Sequence, residues 1–573
     1  MNRDRLALAA CFLALLLPAF ATRADETATA DAGKGDVVVQ SLVDELTRSM
    51  ELQLEDLPKP YLIQYRAEDR ETFWLAASYG ALTTKQTGAE RSFGSRVRVG
   101  DYDLDNTNFA GSFRGGGGAA LPLDDDPVAI RQAIWQATDE DYKRAVEALT
   151  RKRAYLEQKN IEDRPPDYTR VDPVVHVAPL VETAFDEELW AERVKRVSAR
   201  FKRYTAIQQS EVRLAIGTVN AYVVTSAGTR LRVGDTGVIL TMSAQLQAED
   251  GMRLTDTRTS GGFSLEDLPS VERLEADVDE LCRSLIKLAA APVLEEYTGP
   301  VLFDGRAGPQ VFASLLAPGL AGRPDPIGSR RRYSDSALDK RLGKRILPRS
   351  FQVYDDPTAR HFEDQPLFGW YEYDDEAVPA RRVDLVIDGI LKTQVTSRSP
   401  TRKIQTSTGH GRASQLGADA EAAIANLFVS SKEGLTEEEL TAALVQACRD
   451  EAMEFGLRIT ALQGTSAGGL ADPVFVYKVY VDNPGEENQE LVRGVEFKSV
   501  EVRELRRLLA AGRKQYLYDY IAGSGTAVIA PAVLFEELEL TRIEEEFDKL
   551  PILEPPARRR APAAGAAEAD GDS

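Results

Sequence analysis

Runs of alternating apolar and polar residues recur along most of this chain, and only a few stretches keep helical spacing. PYLIQYRAED (60–69), TFWLAASYG (72–80), EVRLAIGT (211–218), NAYVVTSAGTRLRV (220–233) and GVILTMSAQLQAED (237–250) read as strands. Ser226-Ala227-Gly228-Thr229 and Glu249-Asp250-Gly251 mark hairpin turns between them. Helical spacing appears over 36–56, 127–159, 187–203 and 268–291. Such a pattern folds as helices laid on one face of a largely antiparallel sheet, an α+β domain. The second half repeats the theme with more strand. RRVDLVI-DG-ILKTQVTS is a hairpin about Asp388-Gly389, a type I′ signal, and VFVYKVYVD pairs with QELVRGVEFKSV around Asn483-Pro484-Gly485. Thr436 with Glu439 opens a helix over 436–455 as a capping box, VRELRRLLAAG reads as a short helix, and AVIAPAVLFEELEL closes the domain as a strand.

At 573 residues the chain exceeds one compact core. Residues 36–294 form the N-terminal α+β domain, and a boundary near Glu295–Gly299 opens a β-rich mixed domain over 295–553. From Glu554 to Ser573 the tail is low in complexity and predicts disorder. At the other end, Arg3 and Arg5 precede the uncharged run Leu6–Ala21, followed by small residues up to Ala24. A membrane span needs about 20 apolar residues. The reading is therefore a cleaved secretory signal over 1–24, then a polar lead-in over 25–35. A retained anchor helix, or lipidation at Cys11, are the alternatives. The mature protein is expected in the periplasm or secreted, with no later membrane span.

Asp and Glu number 91 against 70 Lys and Arg, a net charge of −21. Such a surface repels phosphate backbones, so no nucleic-acid partner is expected. Three cysteines and three histidines, none at zinc-knuckle spacing, leave little from which to build a Cys/His metal site. Cys282 and Cys448 fall on separate apolar helix faces and read as buried free thiols rather than a disulfide.

Motifs of catalysis are sparse. Neither Gly-x-Ser-x-Gly nor His-Glu-x-x-His occurs. The four-glycine run Gly115–Gly118 lacks the lysine of a phosphate-binding loop and reads as a linker. Asp374, Asp375 and Glu376 form an acidic cluster suited to a cation or a peptide amine, or simply to a solvated turn. His410 and Arg412, between and beside glycines, suit a carboxylate, or belong to a polar loop. The basic residues Arg330–Arg332, Lys340, Arg341, Lys344 and Arg345 read as a solvated face.

Several of these segments together resemble the TldD/PmbA family, zinc-peptidase-related proteins also called modulators of DNA gyrase. They are Tyr297–Leu302, Ala307–Leu320, the acidic turn with its hairpin (Asp374–Pro379, Val386–Lys392), Thr408–Arg412 and Ala530–Leu538. The helix phrase AIWQATDEDYKRAVEALTRKRA extends the likeness into the first half, so that it spans about 36–545. The resemblance implies a two-domain fold and, in active members, zinc held by a His-Glu-x-x-x-His helix plus a late cysteine. Aligned on Ala307-Gly308, Phe312 and Ala313 stand where the first His and the Glu belong, and Ala317 where the second His belongs. No cysteine follows Cys448. The expectation is a member without its own catalytic zinc and with no cofactor. It would form a homodimer, or a heterodimer with a motif-bearing paralogue, and bind unfolded peptide, with Asp374, Asp375, Glu376, His410 and Arg412 as candidate groove residues. The alternatives are a peptidase with a rearranged metal site, using His361 or His410 with Asp374 and Glu376, and a binding module of the cell envelope.

Overall fold

The computed structural model describes residues 35–110, 117–329, 338–464, 469–520, 525–544, 547, 549–553 and 556. The signal segment and Cys11, the basic run Arg330–Arg332 and nearly all of the C-terminal tail lie outside the described residues.

In the first half, helix α1 (Val37–Ser49) begins at Asp36, whose carboxylate accepts from Val39 N at 2.8 Å. Strands β1 (Pro60–Ser78), β2 (Ala81–Val99) and β3 (Gly117–Leu121) follow. Helix α2 (Pro127–Lys159) starts with Pro127 behind the Asp126 cap and ends at Asn160 in the left-handed region, φ 50°. Strand β4 (Val175–Val177), helix α3 (Glu187–Ala199), strands β5 (Gln209–Thr225), β6 (Arg230–Gln247) and β7 (Arg253–Gly262), and helix α4 (Val271–Ala289) complete it. The sheet order is β3-β2-β1-β5-β6-β4, with β7 also on β6, and every pair except β4–β6 is antiparallel.

The two faces of this sheet differ because side chains alternate along each strand. One face carries Ile63, Tyr65, Phe93 and Tyr222 beneath α1 and α2, and Phe73, Leu214 and Leu240 beneath α3 and α4. The other face carries Arg66, Glu68 and Arg70 on β1, in register with Val223, Ala221 and Val219 on β5 and with Leu231, Val233 and Asp235 on β6. That face turns toward the second half, where Trp370 and Tyr371 pack on Val219 and Val233.

The second half is built of β8 (Glu296–Phe303), helix α5 (Ala307–Leu315), β9 (Phe351–Asp355), β10 (Val383–Ile387), β11 (Ile390–Leu391) and β12 (Asn426–Ser431). Helix α6 (Glu437–Asp450), β13 (Phe455–Leu462), β14 (Pro473–Tyr480), β15 (Glu490–Val492), β16 (Val495–Phe497), β17 (Leu508–Tyr520) and β18 (Thr526–Arg542) follow. The order is β11-β10-β9-β12-β18-β8-β13-β14-β15, with β16 and β17 also on β18. Pairs β12–β18 and β13–β8 are parallel, so the sheet is mixed.

Three local expectations change. The segments 60–69 and 72–80 are one strand, because Arg70 and Glu71 pair in register on both sides. The end of the glycine run, Gly117-Gly118, lies in β3 rather than a linker. VRELRRLLAAG is a 3-10 turn over Val502–Arg507 that becomes β17, since pairing along β18 claims its apolar residues. Cys282 and Cys448 are free and buried, as expected, in separate clusters. No described helix is long and apolar enough to cross a membrane.

Candidate functional site

The positions aligned with the family's metal motif form a continuous helix. Pro309 lies within the first turn of α5, where no intrahelical donor is lost, and Pro318 falls in the 3-10 turn Ala317–Leu320 that ends it. The helix presses on β18 closely enough that a Cβ on Gly308 would lie 2.5 Å from the Pro531 carbonyl oxygen. Phe312 is fully buried, its ring 6.2 Å from that of Phe351, and Ala313 and Ala317 are buried in the same apolar cluster with Leu316 and Val353. Besides Ser314, the helix buries one further polar side chain, Gln310. Its Nε2 donates to Leu462 O at 3.1 Å and its Oε1 accepts from Leu462 N at 2.9 Å, so it splices α5 to the end of β13. Phenyl and methyl groups donate no lone pair, so these residues do not fit a zinc ion. Among the described residues no three His, Cys, Asp or Glu side chains cluster as a metal set. His361 is exposed on a short hairpin with Pro366, whereas His410 is wholly buried.

The five candidate groove residues do converge, but inward. Asp374, Asp375 and Glu376 are 2%, 5% and 3% exposed and His410 is 0%, which places them beneath the surface rather than along an open groove. The turn folds around Ala377 at φ 58°, with Asp374 Oδ1 accepting from Glu376 N and Val378 N. Asp374 Oδ2 accepts from Gly411 N at 2.8 Å, and Asp375 Oδ2 from Ala413 N at 2.7 Å. Glu376 accepts from Arg398 N at 2.6 Å and from the Tyr168 hydroxyl at 3.0 Å. Gly411 is required there, because a Cβ would stand 2.4 Å from Glu376 Oε2.

The turn also ties the two halves together. Arg66 on β1 pairs with Asp375 at 2.8 Å and with Glu68 at 2.9 Å, while Gln64 Nε2 donates to Asp375 O at 2.9 Å. Burial, then the nearby Glu376 charge, pushes the Asp374 carboxyl well up, and burial raises Glu376. Asp375 goes the other way: burial raises it, but Arg66 and Arg412 outweigh burial and hold it below the usual carboxylate range. His410 Nδ1 bonds Thr408 O and its Nε2 bonds Asp355 Oδ2, both at 2.9 Å. Arg412 is 14% exposed at the side chain, with Nε 3.7 Å from Asp375 and its guanidinium over the Tyr371 ring.

Sequence reasoning missed Arg66, Tyr168, Asp355 and Arg398. Nothing in their local context marks them, because each meets its partner from a distant segment.

Residues 296–542 match the model of the PmbA/TldA metallopeptidase C-terminal domain, so this part of the chain belongs with the metallopeptidase-related TldD/PmbA proteins. A metalloprotease from Methanocaldococcus jannaschii is 28% identical over 192 residues, covering 33% of this chain and 40% of that protein. A metalloprotease from Methanothermobacter thermautotrophicus is 24% identical over 262 residues, covering 44% of this chain and 54% of that protein. The chain thus spans about half of these relatives or less. Among solved structures, TldE from Thermococcus kodakarensis superposes with a TM-score of 0.55 at 12% identity, covering 88% of this chain and 100% of that one. A Thermotoga maritima protein titled as a proposed modulator of a DNA gyrase gives 0.54 at 15% identity, covering 84% and 96%. At such identities the likeness is one of fold.

Proposed function

We propose that this chain is an exported TldD/PmbA-like protein that lacks a catalytic zinc of its own and works as a dimer scaffold, or as the partner subunit of a motif-bearing paralogue, holding unfolded peptide. One observation carries the reading. Where active relatives are expected to place two histidines and a glutamate, Phe312, Ala313 and Ala317 are sealed in an apolar core. Phenyl and methyl side chains at these three positions offer neither a ligand for an ion nor a base for a water. What the chain's own residues do is structural: Gln310 holds α5 to β13, and the acidic turn locks the charged sheet face to the second half. The uncharged run Leu6–Ala21 behind Arg3 and Arg5 is what supports the export part of this reading.

The test uses the mature protein purified from its source, with metal analysis, peptide hydrolysis and co-purification measured together. The expected result is far less than one zinc per chain, no hydrolysis by the chain alone, and recovery either of a dimer or of a motif-bearing paralogue. Stoichiometric zinc that survives chelation, with hydrolysis by this chain alone, would sink the reading. Sequencing of the mature N-terminus after cell fractionation tests export, and an intact Met1 in the cytoplasm refutes it.

A further inference from the structure

The helix layer over the N-terminal sheet is broken in its middle. From β1, Ile63, Tyr65 and Ala67 lie under α1 and α2, and Phe73, Leu75 and Ala77 lie under α3 and α4. Asp69 and Glu71 fall between them on the same face and belong to neither cluster. Pairing carries this uncovered row across the sheet. Glu71 stands opposite Ala89 on β2 and Thr218 on β5, and Thr218 stands opposite Thr236 on β6. Residues 181–185 cross the gap and are fastened at both ends. Val181 N donates to Asn220 Oδ1 at 2.8 Å, and the Phe185 ring meets that of Phe73 edge-on at 4.9 Å. A cavity of about 430 Å³ remains beside this crossing, with Phe73, Phe185 and Ile216 on its apolar side and Glu71, Thr183 and Thr218 on its polar side. Sites for small ligands occupy about 300–1,000 Å³.

The polar side is built to accept hydrogen bonds. Thr183 Oγ1 lies 2.6 Å from the hydroxyls of both Thr218 and Thr236, which are 3.2 Å from each other. Three hydroxyl protons can thus close on one another, leaving lone pairs to offer. Glu71 is exposed and has no ion-pair partner among the described residues. Glu187 also lines the cavity and shares Lys85 with Glu188, at 3.1 and 2.7 Å. Three carboxylates therefore stand against one ammonium at the mouth, while Asp69 in the next row is matched by Arg91. The complement of such a site is a group with several donors, no acceptor and a positive charge, carried on an apolar chain that meets the two rings. A ligand carboxylate is repelled there, and a neutral chain leaves Glu71 without a partner. We propose that this cavity is a binding site for a primary alkylammonium group, carried by a free amine or by a lysine side chain. The site does not rest on the peptide-holding reading, and its failure leaves that reading as it stands.

The experiment is a saturation-transfer NMR titration of the mature full-length protein at low ionic strength, with n-pentylamine, 1-pentanol and methylamine as probes. Pentylamine is expected to bind about tenfold tighter than pentanol, the worth of one charge-assisted contact. Methylamine, with no chain for the rings, is expected to bind more weakly than pentylamine. Glu71→Gln alters an exposed position and should weaken pentylamine about threefold while leaving pentanol unchanged. A fourth probe, lysine acetylated at its α-amine and amidated at its carboxyl, separates the two sources. Tighter binding than pentylamine assigns the site to a peptide's lysine, and weaker binding assigns it to a free amine. Equal binding of pentylamine and pentanol overturns the site, as does binding of neither. Pentylamine binding that Glu71→Gln leaves unchanged overturns it too, and the comparison of probes on unaltered protein needs no variant to fold.

Discussion

His410 shows at the scale of one residue how a candidate ligand becomes a strut. The Thr408 carbonyl oxygen can only accept, so Nδ1–H donates to it, and Nε2 lies 2.9 Å from Asp355 Oδ2. Asp355 is itself 0% exposed and also accepts from Ala425 N at 3.1 Å. Removing the imidazole strands a buried carboxylate. His410→Ala is therefore expected to lose about 2–4 kcal/mol of stability in urea titration, with no change in bound metal. If the residue were a metal ligand instead, zinc content would fall with little loss of stability.

At the scale of the element, glycines fix where the two halves touch. Gly94 on β2 faces the loop after Ala413, and a Cβ there would lie 2.1 Å from Gly417 N and 2.6 Å from Leu416 C. Backbone atoms cannot swing aside as a flexible side chain does. Around the contact Arg96 and Arg98 from β2 both reach Asp419, with Arg98 Nη2 at 3.1 Å. Gly94→Ala is expected to lower the urea midpoint by an equivalent of about 2–3 kcal/mol. The substitution Thr436→Ala at the head of α6 touches only a local cap, where the Thr436 hydroxyl and Glu439 carboxylate serve each other's backbone N–H. It should cost about 1 kcal/mol without altering contact between the halves, read as a smaller midpoint shift.

At the scale of the whole molecule, several carboxyls among the described residues are buried, and the sign of their shifts sets the response to pH. Burial pushes Asp141 up to about 6 and Asp235 up to about 7, against about 3.9 in an unfolded chain. Both therefore bind protons more tightly folded than unfolded. Their contribution is fully present below pH 4 and is lost as pH rises through about 6 to 7. Between pH 5 and 7 stability should fall by up to about 1.4 kcal/mol per pH unit for each such group. Asp375, held low by Arg66 and Arg412, is ionised throughout that window and does not counter the trend. Asp141 accepts from Val97 N at 2.7 Å, a bond an amide oxygen can keep, so Asp141→Asn should flatten the slope without unfolding the protein. A denaturation midpoint that rises steadily from pH 5 to 7 in the unaltered protein would refute this account.

Local rules carried much of the architecture. Asp388 and Gly389 adopt φ 53° and 73°, the left-handed pair that a type I′ turn demands, and the Thr436–Glu439 box stands where its spacing places it. Alternation marked the strands of both sheets, and the absence of histidine and glutamate over 312–317 was plain from residue identity. Longer-range competition decided the rest. Pairing with β18 made a strand of a segment whose spacing suits a helix, because ladder hydrogen bonds outweigh local propensity. Asp374–Glu376 look like a solvated or ligand-facing turn in sequence. Their burial depends on Gly411, Arg398, Tyr168 and Arg66, which lie 37, 22, 208 and about 300 residues away. A carboxylate's surroundings are set by whatever the fold carries to it, and only the packing of one half on the other determined that these charges face inward.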